Sequence, residues 1–298
     1  MNFSANFKGY ATAFIATLTL SNVYIFSKAA LNEISYYQFG FYWFGFAIIW
    51  NIIYSYFQGH FKTTKVPTLF QAKHLFGIGI IEVIATTSIF IGIMIIPNPS
   101  IPALVRNLEP ALIVFMAILF LKERFNRIEL FGVVLTIIGT IIISYNQSIA
   151  IDNLFIPGVQ FVVISCVFYA IRTIWSKKVI THFKALTLNL NKVGFLFIAF
   201  LLMVIIKQSS LLIPKSALIN ILIGSFIGPF MTSFLQFLSL KHIDASRSNL
   251  VMSTTGFMTI ILAYFFFDKL PYWYQFAGGI ITIIGLALVT INRKKAMK

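Results

Sequence analysis

The chain has 298 residues, of which 59% are hydrophobic and 10% charged, and its formal net charge is +15. A soluble domain carries about 25% charged residues, so this chain has too little polar surface to face water. The basic excess does not point to nucleic acid, because the Lys and Arg residues sit in short segments between apolar runs and form no stripe.

The apolar runs are about 20 residues long, the length a helix needs to cross a hydrocarbon core of roughly 30 Å. They predict an all-α integral membrane fold of ten transmembrane helices. The first five spans fall at about 9–30, 35–57, 74–96, 100–121 and 128–146. The second five fall at about 156–176, 184–206, 217–240, 245–267 and 271–292. Lys8 ahead of the first run imitates a secretory leader, but the run continues to about Ala30 and is of spanning length. Pro97, Asn98, Pro99 and Pro102 end the third span and start the fourth. The polar stretch Asn146–Asn153 is the seam between two halves, 1–148 and 153–294, and Pro271 suits the first turn of the last span. Spans in lipid must satisfy their backbone polar groups internally, which requires helices here because the alternating pattern of a barrel is missing.

Loop charge sets the orientation. With the N-terminus inside, 16 of the 23 Lys and Arg residues fall on the inner side. Lys28, Lys207, Lys215 and Lys269 fall outside, and Arg106, Arg172 and Lys192 lie within spans. The bias places both termini in the cytoplasm. The Ile- and Phe-rich usage suggests an AT-rich bacterial genome, hence an inner (cell) membrane.

The halves resemble each other. Gly9 and Ser27-Lys28 match Gly158 and Ser176-Lys177 at an offset of 149. Gly132 and Thr136-Ile137-Ile138-Gly139 match Gly278 and Thr282-Ile283-Ile284-Gly285 at an offset of 146. Five spans per half is an odd number, so the second half enters from the opposite side and the halves form two inverted five-helix repeats. Such repeats recur in secondary transporters, with the substrate at the repeat interface near the midplane.

Leu108-Glu109-Pro110, the apolar run to Lys122-Glu123-Arg124, and then Gly132 and Gly139 resemble the end of an EamA domain of the drug/metabolite transporter superfamily. The second half is similar but degenerate, with Thr254-Thr255 in place of Glu109-Pro110, Asp268 in place of Glu123, and then Gly278, Gly279 and Gly285. The resemblance covers essentially the whole chain. It implies a central cavity formed by the first, third, fourth, sixth, eighth and ninth spans, with the fifth and tenth at the periphery. It does not name a substrate.

An ionisable group at mid-membrane costs about 2.5–3.5 kcal/mol on insertion scales, which makes it a site candidate. Glu82 lies near the midplane of the third span, and Glu109 at similar depth in the fourth. Arg106 shares a helix face with Glu109 three residues on. Arg106 either anchors a carboxylate or phosphate or pairs internally with Glu109. Glu82 either carries a coupling proton, since low dielectric disfavours its charged form, or partners Arg106 or Lys192. Arg172 is expected to snorkel to the cytoplasmic interface, and Lys192 to be a paired structural charge. Asn22, Thr86, Asn107, Gln236, Asn249 and Thr254 complete the candidate substrate-binding set, each able instead to bond a neighbouring helix. Gly224–Pro229 is either a close-packing face or a gating kink.

No zinc spacing, phosphate-binding loop or nucleophile-with-base pattern is present, so neither cofactor nor enzyme is expected. The predicted function is secondary transport of a small polar or amphipathic metabolite, such as an amino acid, with a coupling proton as a second partner. The alternatives are a sugar-phosphate or nucleotide-sugar carrier and, in another class, a membrane enzyme acting on lipid.

Overall fold

The computed structural model describes residues 5–59, 67–121, 127–144, 156–243, 245–252 and 254–296, and among them every regular element is helical. The first half holds α1 (Ala5–Leu31), α2 (Tyr36–Phe57), α3 (Leu69–Ile95), the short α4 (Ser100–Val105), α5 (Leu108–Leu121) and α6 (Arg127–Ser144). The second holds α7 (Val159–Val179), α8 (Ala185–Ile206), α9 (Lys215–Ser225), α10 (Ser233–His242), α11 (Ala245–Met252), α12 (Thr255–Phe267) and α13 (Trp273–Ala296). Among the described residues, five segments are long and apolar enough to cross a bilayer: Phe7–Leu31, Leu69–Ile95, Val159–His182, Ala185–Ile206 and Lys215–His242. Leu130–Ile143 and Thr255–Phe267 are apolar but shorter. The seam at Asn146–Asn153 and the loop cations Lys62, Lys65, Lys122, Arg124 and Lys298 lie outside the described residues.

Two predicted spans are not continuous helices. The one expected over 100–121 breaks between α4 and α5, at Arg106-Asn107. The cause is Pro110, which has no N–H to give the Arg106 carbonyl four residues back and whose ring crowds that carbonyl. The Arg106 carbonyl accepts instead from Glu109 N–H. The span expected over 245–267 likewise divides into α11 and α12. There the Thr254 and Thr255 hydroxyls donate to the Val251 and Met252 carbonyls, at 2.8 and 2.6 Å, a local competition with helical bonding. The two breaks occupy equivalent places in the two halves. Pro271 falls ahead of α13 rather than in its first turn.

A π-helical stretch, Phe226–Thr232, joins α9 to α10 around Pro229. The proline again removes a donor, and the Thr232 hydroxyl donates to the Ile227 carbonyl five residues back, at 2.8 Å. Gly224, at the end of α9, sits against Trp43, where an added Cβ would collide with the indole, and a Cβ on Gly228 would collide with Val23. Gly224–Pro229 is thus a close-packing face and a helix irregularity at once.

Contacts between the halves come in exchanged pairs. Gly77 of α3 faces Trp175 of α7, and Gly224 of α9 faces Phe26 of α1. Gly92 of α3 lies against the Gly158 carbonyl, and Ser239 of α10 donates to the Gly9 carbonyl at 3.0 Å. The early part of α3 meets the late part of α7 and the reverse, so these helices run antiparallel. Lys28 Nζ, near the end of α1, donates to the Ile93 and Met94 carbonyls near the end of α3, at 3.0 and 2.9 Å. Its counterpart Lys177 does the same for α10, donating to the Leu240 and Ile243 carbonyls at 2.9 and 3.2 Å. An ammonium suits the unpaired carbonyls and negative dipole end of a helix C-terminus. Within each half the first and third helices therefore run parallel, and α7 runs against α1.

The helices α6 and α13 make the tightest backbone approach. A Cβ on Gly285 would lie 2.5 Å from the Gly132 carbonyl oxygen, and one on Gly278 2.8 Å from that of Gly139. This antiparallel pair exposes Leu130, Phe131, Ile138, Ile141, Ile280 and Ile284. An outer surface this rich in large apolar side chains has no place in water.

Candidate functional site

The polar centre lies where the third and fourth spans of the first half meet α7 and α8 of the second. Glu82, on α3, is fully buried. Its Oε1 is 2.8 Å from Lys192 Nζ of α8, and its Oε2 is 3.1 Å from Arg172 Nε of α7. Thr86, one turn on, donates to Oε1 at 3.3 Å and shares a 2.9 Å hydrogen bond with the Tyr169 hydroxyl. A buried carboxylate between two cations is tolerable only because its charge is met at both oxygens.

The second pair forms at the α4–α5 break. Arg106 Nε donates to Glu109 Oε2 at 2.9 Å. The break releases Arg106 from the helix and turns its guanidinium onto the Tyr169 ring, 4.5 Å from the centroid, a cation–π contact. Arg172 stacks near the same ring at 5.4 Å and near Phe237 at 5.5 Å, and its Nη2 donates to Gln236 Oε1 at 3.4 Å. Tyr169 thus lies within cation–π reach of two guanidinium groups.

Beside this cluster lies a half-open cavity of about 60 Å³. Both halves contribute: Tyr24, Thr86, Phe90 and Arg106 from one, Tyr169, Arg172, Lys192, Pro229 and Gln236 from the other. Trp43 and Phe44 form an aromatic wall. A second, smaller space of about 20 Å³ shares Leu20, Tyr24, Arg106, Gln236 and Met252 with the first and adds Asn107, Glu109, Asn249 and Thr255. Several buried polar atoms here have no protein partner: Tyr24 Oη, Arg172 Nη1, Gln236 Nε2, Asn107 Nδ2 and Glu109 Oε1. Four of these are donors and Glu109 Oε1 is an acceptor, and buried polar atoms of this kind are ordinarily met by water or a ligand.

The sequence-predicted set divides. Arg106, Glu109, Thr86, Asn107, Gln236 and Asn249 line one or both spaces. Asn249 also donates to the Ala245 carbonyl of its own helix, at 2.8 Å. Glu82 sits behind the wall with both oxygens engaged and lines neither space. Asn22 donates to Leu18 of its own helix and Thr254 to Val251, and both stand away from the cavities. Arg172 is a correction: it does not snorkel but is 1% exposed and paired with Glu82. A carboxylate in low dielectric holds a guanidinium more strongly than distant water does. Arg172 and Lys192 were missing from the candidate set. The signal for them was the tally of three cations and two carboxylates within spans.

A family model described as EamA-like transporter family matches residues 7–145 and 156–291. No curated protein matches the sequence. The chain is similar to a crystal structure of a protein over 99% of both chains, with a TM-score of 0.69 at 16% identity. At that identity the likeness speaks for the fold alone.

Proposed function

Since the chain belongs to the EamA-like transporter family, we propose that it is a secondary carrier of a small polar metabolite, crossing the bilayer ten times as two inverted five-helix repeats and working by alternating access. The membrane setting and the transporter class come with the family. The mechanism rests on one observation: the cavity that holds Arg106, Arg172 and Gln236 is walled by both halves, and those halves meet through exchanged pairs of contacts. Exchange of two equivalent halves opens a shared site first to one side and then to the other. The discontinuous helices α4–α5 and α11–α12 fall beside that site, where irregular backbone is tolerated because it lines a cavity.

In this reading Arg106, Thr86 and Gln236 contact the substrate. Glu82 holds Arg172 and Lys192 in place and is a positioning residue. Both termini are cytoplasmic, as the loop charges require. The sugar-phosphate alternative gains some ground, because Arg106, Arg172 and Lys192 do converge. Two carboxylates neutralise most of that charge, which disfavours a nucleotide-sized polyanion.

Uptake of radiolabelled amino and organic acids into proteoliposomes tests the proposal, with protein-free liposomes as the control. Saturable, protein-dependent uptake of at least one compound is expected. Its absence for all of them, or unchanged uptake in both Arg106→Ala and Glu82→Gln, overturns the assignment.

A further inference from the structure

The charge of the site does not close. Arg106, Arg172 and Lys192 bring three positive charges, and Glu82 and Glu109 only two negative ones. Among the described residues, Glu109 is the one acidic side chain that lines either cavity. An uncompensated charge in low dielectric is strongly unfavourable unless something meets it. Arg172 Nη1, Gln236 Nε2 and Tyr24 Oη are hydrogen-bond donors on side chains at least nine-tenths buried, and all three residues line the larger cavity with Arg106.

We propose that the missing counter-charge belongs to the cargo: the site takes a small metabolite of net charge −1 whose carboxylate lies between Arg106, Arg172 and Gln236. This rests on the carrier reading and narrows it. A guanidinium fork matches the two oxygens of a carboxylate. A single surplus charge matches a monoanion better than a doubly charged phosphate ester, and better than a zwitterion, whose own ammonium cancels it. Glu109, whose Oε1 has no protein partner, lines the smaller cavity together with Arg106. It accepts a hydroxyl or N–H from the body of the same ligand. The aromatic wall of Trp43, Phe44 and Phe90 leaves room for a short apolar portion.

The test is thermal unfolding of the detergent-solubilised chain with matched probes at constant ionic strength. Lactate is compared with lactamide, and L-glutamate with L-glutamine, with inorganic phosphate as a fifth arm. At least one acid should raise the unfolding temperature saturably while its amide does not, since only a ligand of the folded state stabilises it. Arg106→Gln should weaken the apparent affinity at least tenfold. Gln236→Leu keeps every ion pair and should weaken it about fivefold. Glu109→Gln adds a second surplus charge and should tighten it, which a purely structural role would not do. Amides equal to their acids, phosphate binding more tightly than either acid, or no shift with any probe overturns the proposal. Protein-dependent uptake of a neutral or cationic metabolite would sink the anionic assignment and leave the carrier standing; absence of any uptake would sink the carrier itself.

Discussion

Removing the charge of Glu82 tests the reasoning about the centre most directly. In Glu82→Gln, Lys192 and Arg172 lose their shared carboxylate, 2.8 and 3.1 Å away, while their side chains stay 11% and 1% exposed. Breaking a buried pair by deleting one partner costs about 3–5 kcal/mol, because the other charge stays buried and unmet. Two cations are stranded here, so the upper part of that range applies. At about 2–4 °C per kcal/mol for a chain of this size, the unfolding temperature should fall by roughly 8–20 °C. Adding Lys192→Met to Glu82→Gln restores the wild-type surplus of one positive charge and should recover at least half of the loss. The assay is size-exclusion chromatography of the detergent-solubilised protein after heating, with all four members of the double-mutant cycle measured alike. If Glu82→Gln melts within 2 °C of wild type, or the double variant is less stable than the single, Glu82 does not hold the two cations and the charge tally has no physical force.

The glycine crossings give a graded series. Gly285→Ala places a Cβ 2.5 Å from a backbone oxygen and should destabilise by about 1–3 kcal/mol as overpacking; Gly194→Ala meets nothing within 4 Å and should be neutral or stabilising by about 0.5–1 kcal/mol, both read by the same melts. Lys28→Met and Lys177→Met each leave two helix-end carbonyls without their cation; each should cost about 1.5–3 kcal/mol, and a loss in only one of them would contradict their equivalence. Inversion is tested by labelling: Asn32→Cys, exposed beyond α1, should react with an impermeant maleimide from outside, and Lys178→Cys, exposed at the end of α7, only from inside. The buried Cys166 leaves the background silent. Reaction of both from one side would end the inverted-repeat reading.

Much of the architecture is legible without coordinates because lipid imposes it. Apolar runs of spanning length can only be helices, and the Gly132/Gly139 and Gly278/Gly285 spacing marks where two backbones touch. The repeat offset announces two equivalent halves, and the contacts of Lys28 and Lys177 carry it into three dimensions. The break at Arg106 was also readable, since Pro110 cannot bond four residues back, although the apolar run conceals it. The break before Thr255 was not, because hydroxyl bonds to the backbone leave no compositional mark.

The candidate site was legible as an inventory of residues and not as an arrangement. Sequence alone determined which charges enter the membrane, since hydrophobic runs make every ionisable residue conspicuous. It could not say which charges meet, because Glu82, Arg172 and Lys192 come from three helices whose facing sides are set by packing. Asn22 and Thr254 looked equal to Asn107 and Gln236 for the same reason: a polar side chain either bonds its own helix or turns to a cavity, and the rotation of the helix decides. Tertiary structure alone set three cations against two carboxylates among the described residues and put Arg172, Gln236 and Tyr24 around one space, because Coulomb energy depends on distances that residue order does not contain.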